Sequence, residues 1–132
     1  MSNPNSVPEA ELERRRELAK RVRAELERAG LPTLEAAGAV GFAGAVVGVD
    51  PGDDSLGGVF VDWQADSALR KAAAAAVEES RFDDPAIRHN GIVAEQMGEA
   101  ISGILRSAGF ETEIDDDLAP SVVHVTGTAS RD

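Results

Sequence analysis

The sequence predicts an α+β domain of element order α-ββ-αα-ββ, with an antiparallel or mixed sheet covered on one face by helices. Three observations point to it. Apolar residues recur at helical spacing through residues 9–29 and again through 66–108. Between these stretches, and after the second, the apolar period shortens to two. Turn-forming clusters, Asp50-Pro51-Gly52-Asp53-Asp54 and Asp115-Asp116-Asp117-Leu118-Ala119-Pro120, fall where each pair of strands must reverse.

The first helix opens with Ser6 and Glu9, spaced as a capping box, and Pro8 is tolerated in a first turn. Leu12, Ala19, Val22, Leu26 and Ala29 form a narrow apolar stripe, and Gly30 and Pro32 end the helix. The opposite side is charged. Arg14-Arg15-Arg16 is flanked by glutamates and reads as a solvated face, with Glu17 and Arg21 a favourable i,i+4 pair. Packing on its own domain is the simplest use of the stripe; a homodimer through Leu12, Ala19, Val22 and Leu26 is the other.

Val40, Phe42, Val46, Val47 and Val49 form the first strand, spotted with Gly41, Gly44 and Gly48. Val59, Val61 and Trp63 share one face of the second, and the hairpin tip is expected around Pro51–Leu56. Asp66 is the N-cap of the next helix, whose face is Ala68, Leu69, Ala72, Ala73, Ala76 and Val77. Asp84-Pro85 starts another, with Pro85 at its first position and a break expected at Asn90-Gly91. Val93, Met97, Ile101, Leu105 and Ala108 carry it to Gly109, and a row of small residues (Ala94, Gly98, Ser102) is expected against the alanine face of the preceding helix. The last hairpin pairs Phe110, Thr112 and Ile114 with the Ser121–Thr126 segment. A register matching Phe110 to Val125 brings His124 near Glu111 or Glu113.

The chain has 132 residues, 24 acids against 13 bases, and a formal net charge of −11. That length suits one domain of about 100–150 residues. Residues 1–35, the amphipathic helix and its linker, hold seven acids and seven bases, so the whole excess belongs to an acidic α+β domain over 36–132. Such a balance repels nucleic acid and anionic membranes. The absence of cysteine excludes disulfides, thiolate metal sites and a thiol nucleophile. No apolar run approaches the roughly 18 residues of a membrane span, and Met1-Ser2-Asn3-Pro4-Asn5 does not open like a secretory signal, so the expected setting is the cytoplasm. The 22 alanines, with arginine favoured over lysine by 11 to 2, suggest a GC-rich bacterial genome.

Candidate functional residues concentrate in the two turns. Asp50, Asp53 and Asp54 cluster at one hairpin tip and Asp115, Asp116 and Asp117 at the other; with Trp63, they are the expected contacts for a basic partner protein. Neither cluster has EF-hand spacing, and no metal or cofactor is expected. Gly38, Gly41, Gly44 and Gly48 are not a phosphate loop, because no Lys or Arg lies between Arg28 and Arg70. Nor is there a nucleophile elbow or His-Glu-x-x-His motif. The functional expectation is a small, non-catalytic protein-binding module of inhibitor, immunity or chaperone type. The alternative, a small enzyme or metal-dependent binder, would use Asp50, Asp53, Asp54, Asp115, Asp116, His89 and His124. It requires the two hairpin tips to converge.

Overall fold

Three helices and a five-stranded mixed sheet form the domain, in a computed structural model that describes residues 6–35, 42–53, 57–114 and 121–128. In chain order they are α1 (Glu9–Arg28), β1 (Thr33–Leu34), β2 (Gly44–Asp50), β3 (Gly58–Gln64), α2 (Ser67–Glu78), α3 (Pro85–Ser107), β4 (Phe110–Ile114) and β5 (Val123–Thr128). The sheet order is β1-β2-β3-β5-β4. The two-residue β1 runs parallel to β2 and makes the sheet mixed; it is too short to leave a period in the sequence.

The β2–β3 hairpin pairs continuously from Asp50 opposite Gly58 to Gly44 opposite Gln64. Both β3 and β4 are antiparallel to β5, so they run the same way and cannot be joined by a tight turn. The α2–α3 pair supplies the crossover, and β5 then folds back into the gap between them.

Alternation divides the sheet into two faces. Ala45, Val47, Val59, Val61, Val123 and Val125 point inward, where they meet Leu18, Ala19, Val22 and Leu26 of α1 and Ile101 and Leu105 of α3 in one core cluster. Val22 and Leu26 are fully buried there, each worth about 1.5–3 kcal/mol of transfer free energy. Ala19, Val22 and Leu26 of the α1 stripe are thus covered within their own chain, with Leu18 added, Leu12 half-buried and Ala29 left exposed. At one end of this layer the Arg21 guanidinium lies 5.6 Å from the centre of the Phe110 ring.

The helix boundaries follow their signals in most places. Gly30, at φ 98°, ends α1 with Leu31 N–H donating to Leu26 O and Gly30 N–H to Glu27 O, the paired bonds of a glycine-terminated helix. Asp66 and Asp84 accept from the backbone N–H of Ala68 and Ala86 as N-caps, and Pro85 occupies the first turn of α3.

Several local expectations are corrected. Ser6 and Glu9 form no capping box: Pro8 occupies the N-cap of α1, and Ser6 is drawn instead into a β-bridge with Gly52. No break occurs at Asn90-Gly91, since α3 runs unbroken through both; one interior glycine costs only about 1 kcal/mol. The small row of α3 serves the last hairpin: Ser102 and Thr112 hydroxyls lie 2.6 Å apart, and a Cβ on Gly98 would press to 3.0 Å from the Ser121 carbonyl. In β4–β5, Phe110 pairs with Thr128 rather than Val125. The register shifts between Glu111 and Thr112, leaving Thr126 as the extra residue of a bulge.

Burial of α1 predicts the outcome of cutting its stripe. Leu26→Ala should cost about 2–5 kcal/mol in chemical denaturation, and Val22→Asp with Leu26→Asp should unfold the chain. A folded monomeric double variant by circular dichroism and sedimentation would show that α1 is not part of the core.

Candidate functional site

Of the expected contact residues, Asp50, Asp53 and Trp63 are described, whereas Asp54, Asp115, Asp116 and Asp117 lie outside the described residues. Asp50 closes β2, and its Oδ1 accepts the Gly52 N–H at 2.8 Å, a local turn bond. Asp53 is exposed beyond it. Trp63 is half-buried on the inward face and packs against the core, opposite Ala45. Five residues of strand, about 17 Å, separate that position from Asp50.

The described strand ends flanking the two turns, Asp50 with Gly58 and Ile114 with Val123, point toward opposite ends of the sheet. β2 runs out to its tip at Asp50, while β4, directed oppositely to β2, ends at Ile114 beside Val123 and Val61. Among the described residues no group of three or more His, Asp or Glu is placed to hold a metal ion. His89 is exposed on α3, remote in the fold from His124 on β5.

The first hairpin tip is fastened to α1 by a residue the sequence reading assigned to solvent. Arg15 has a side chain only 12% exposed. Its Nη1 donates to the backbone carbonyls of Asp50 at 2.6 Å and Gly52 at 2.9 Å, while Nε donates to Glu11 at 2.9 Å. Val7 N–H donates to Pro51 O at 2.9 Å beside it. Arg14 and Arg16 remain solvated, as expected of that face. Arg15 differs because one helical turn lies over the tip and its carbonyls need donors, a relation that no local pattern encodes. Hydrogen bonds from Arg14 and then Arg15 hold the Glu11 carboxyl down at about 2.

The face of the sheet that bears no helix carries a second group, missed in the sequence. Phe60 and His124, paired across β3 and β5, stack with ring centroids 4.5 Å apart and planes 15° from parallel. His124 Nε2 lies 3.1 Å from the Gly57 carbonyl; a carbonyl only accepts, so this nitrogen carries a proton. Gly58, at φ 125°, makes room for the ring, since a Cβ there would come within 2.8 Å of Nε2. Across from His124 stands Glu113, and beside Phe60 along β3 stands Asp62. Loss of hydration raises the Asp62 carboxyl above its ordinary value, opposed in part by the hydrogen bond with the Trp63 backbone. Alternation in β3 already placed Phe60 and Asp62 on one face; what lay beside them depended on β5 pairing with β3.

Charge is segregated between the layers. No strand contains Lys or Arg, and every described Lys and Arg lies in a helix except Arg81, between α2 and α3. Asp62, Glu111 and Glu113 are exposed on the open face. Between α1 and the edge of β2, by contrast, a cleft of about 320 Å³ is lined by Arg16, Lys20 and Arg23 over an apolar floor that includes Val47 and Val49. Each of those cations is already paired with glutamate: Arg16 with Glu9 and Glu13, Lys20 with Glu17, Arg23 with Glu35. No described helix is long and apolar enough to cross a membrane. The chain matches no protein-family model, no curated protein and no solved structure.

Two measurements follow from the clasp at the tip. Arg15→Ala should cost about 1.5–3 kcal/mol locally, two hydrogen bonds from a charged donor, and speed amide exchange at Val7 and Gly52 above that of the core strands. Because the Glu11 carboxyl lies below its ordinary 4.5, the clasp stabilises the fold above that value and loses the contribution as pH falls toward about 2. In an NMR titration Glu11 should show its midpoint near 2, moving back toward 4.5 in Arg14→Ala; a wild-type midpoint at 4.5 would contradict the arrangement.

Proposed function

We propose that the chain is a small, non-catalytic, cytoplasmic protein-binding module, of inhibitor, immunity or chaperone type, whose open sheet face engages a basic partner protein. The observation that carries this reading is the segregation of charge: a helix-free face with Asp62, Glu111 and Glu113 exposed and no cation in any strand. Half-buried Phe60 and His124 supply an apolar centre within an acidic surround, the composition of a polar-rimmed contact surface. With a net charge of −11, the chain would steer a basic partner from beyond contact distance and reject acidic ones. Asp50 and Asp53 extend the negative surface at one end of the sheet. The acidic run Asp115–Asp117 belongs to the same proposal through its charge.

The test is to isolate the chain from its native host at low ionic strength, identify the protein that accompanies it, and map the contact by hydrogen exchange. The expected footprint covers β3, β5 and β4, and replacing Asp62, Glu111 and Glu113 by their amides should slow association and flatten its salt dependence. Absence of a salt-sensitive protein partner, or a footprint confined to the helical layer, would refute the reading.

A further inference from the structure

The 4.5 Å separation of the Phe60 and His124 rings is close to the spacing of hydrogen-bonded strands, about 4.7–4.9 Å. The His124 ring leans from β5 over Gly58, where its Nε2 meets the Gly57 carbonyl, and lies stacked against Phe60. His124 covers one face of Phe60. On the other side of β3, the residue of β2 directly opposite Phe60 is Gly48.

Gly48 leaves that place empty. A Cβ added there would meet nothing within 4 Å, so among the described residues no side chain fills the next position of the stack. An open position beside an aromatic ring suits a planar group laid against it. Asp50 lies two residues along β2 from Gly48, and Asp62 lies two residues along β3 from Phe60, on the same face. The Asp50 Oδ1 atom is engaged by Gly52; its second oxygen is not part of that bond. The strands bring no positive side chain of their own to this face.

We propose that the slot above Gly48 receives the guanidinium of an arginine on the partner protein, stacked on the free face of Phe60 and held between the carboxylates of Asp62 and Asp50. The assignment rests on the acidic-face reading and names its point of recognition. A guanidinium is planar, less strongly hydrated than an ammonium, stacks on aromatic faces and donates to carboxylates through two nitrogens at once. Lysine lacks the plane and the fork. The incompletely hydrated carboxyl of Asp62 gains from an adjacent cation, which offsets the cost of holding it there.

The experiment is an NMR titration of the whole chain at low salt with three capped peptides: Gly-Ser-Arg-Ser-Gly and its lysine and citrulline counterparts. The arginine peptide is expected to shift the Gly48 amide and the Phe60 ring protons saturably, and to have its own side-chain methylene resonances moved upfield by the ring. The lysine peptide should bind more weakly and the uncharged citrulline peptide should produce no saturable shift. Gly48→Val fills the slot without altering any charge, at a position with open space and a strand geometry that valine favours. It should weaken the arginine peptide about tenfold, as loss of a desolvated cation–π contact does. Asp62→Asn should weaken it while preserving the amide spectrum of the fold.

Equal binding of the three peptides, shifts centred away from Gly48 and Phe60, or an unchanged affinity in a folded Gly48→Val protein would overturn the proposal. The wild-type titration decides it even if the valine variant does not fold. A native partner that protects the open face yet ignores Gly48→Val would defeat the arginine slot alone. A partner seated on the helices would defeat the wider reading, separately from the peptide result.

Discussion

Val22 and Leu26 of α1, Ile101 and Leu105 of α3, and Val59, Val61, Val123 and Val125 of the sheet meet in one layer, with all eight side chains withdrawn from water. Every other part of the molecule is arranged around that contact. The chain has few large apolar residues, 31 of Leu, Ile, Val and Phe in 132 positions, and the helices bury one face of the sheet only. At about 25 cal/mol for each Å² of apolar surface removed from water, this layer is the principal favourable contribution that holds strands distant in sequence together. Its geometry also decides which sheet face remains available. No described helix packs on the outward positions, where Asp62 and Glu113 are exposed, Gly48, Phe60 and His124 half-buried, and Val46 and Gln64 buried.

The division of charge has the same origin. Helix α1 lays its stripe inward and turns most of its arginines and glutamates outward, where they neutralise one another in exposed i,i+3 pairs. Such pairs contribute little individually, about 0–1 kcal/mol, but they leave the helical layer near balance. The sheet has no cations to balance its carboxylates. A net charge of −11 therefore acts with direction. Over distances near the Debye length, about 8–10 Å at physiological salt, an approaching basic surface meets the sheet and its turns as the negative side of the molecule. Arg15 is the exception that joins the layers: it leaves the solvated face of α1 to satisfy carbonyls at the hairpin tip.

Most of the elements were legible because their signals are local. The 3.6-residue period of Val22–Leu26 and Ile101–Leu105, the N-caps Asp66 and Asp84, Pro85, and the stops at Gly30 and Gly109 all act within one or two turns. Where local signals misled, a distant partner had intervened. Ser6 had the spacing of a capping residue, yet the tip of a hairpin more than forty residues later claimed its backbone. Gly98 and Ser102 looked made for helix packing, but β4–β5 occupies that side of α3. The acidic turns were visible as composition, and the opposite directions of β2 and β4 followed only from strand pairing. The Phe60–His124 stack joins residues 64 positions apart, and no pattern in either strand announces the other.

The amino-acid sequence by itself determined the class of the fold, the number and type of its long elements, the inward face of β3 and the sign and segment of its charge. Those depend on periodicity, caps and composition, which act over a few residues. Only the tertiary structure decided that β5 lies between β3 and β4, that no described helix packs on one sheet face, that Arg15 closes the first hairpin, and that Phe60 is stacked by His124 on one neighbouring strand and faces Gly48, with open space among the described residues, on the other. These depend on which strands pair and in which register. That choice is made by burying one continuous apolar layer, a property of the whole chain that no short segment contains.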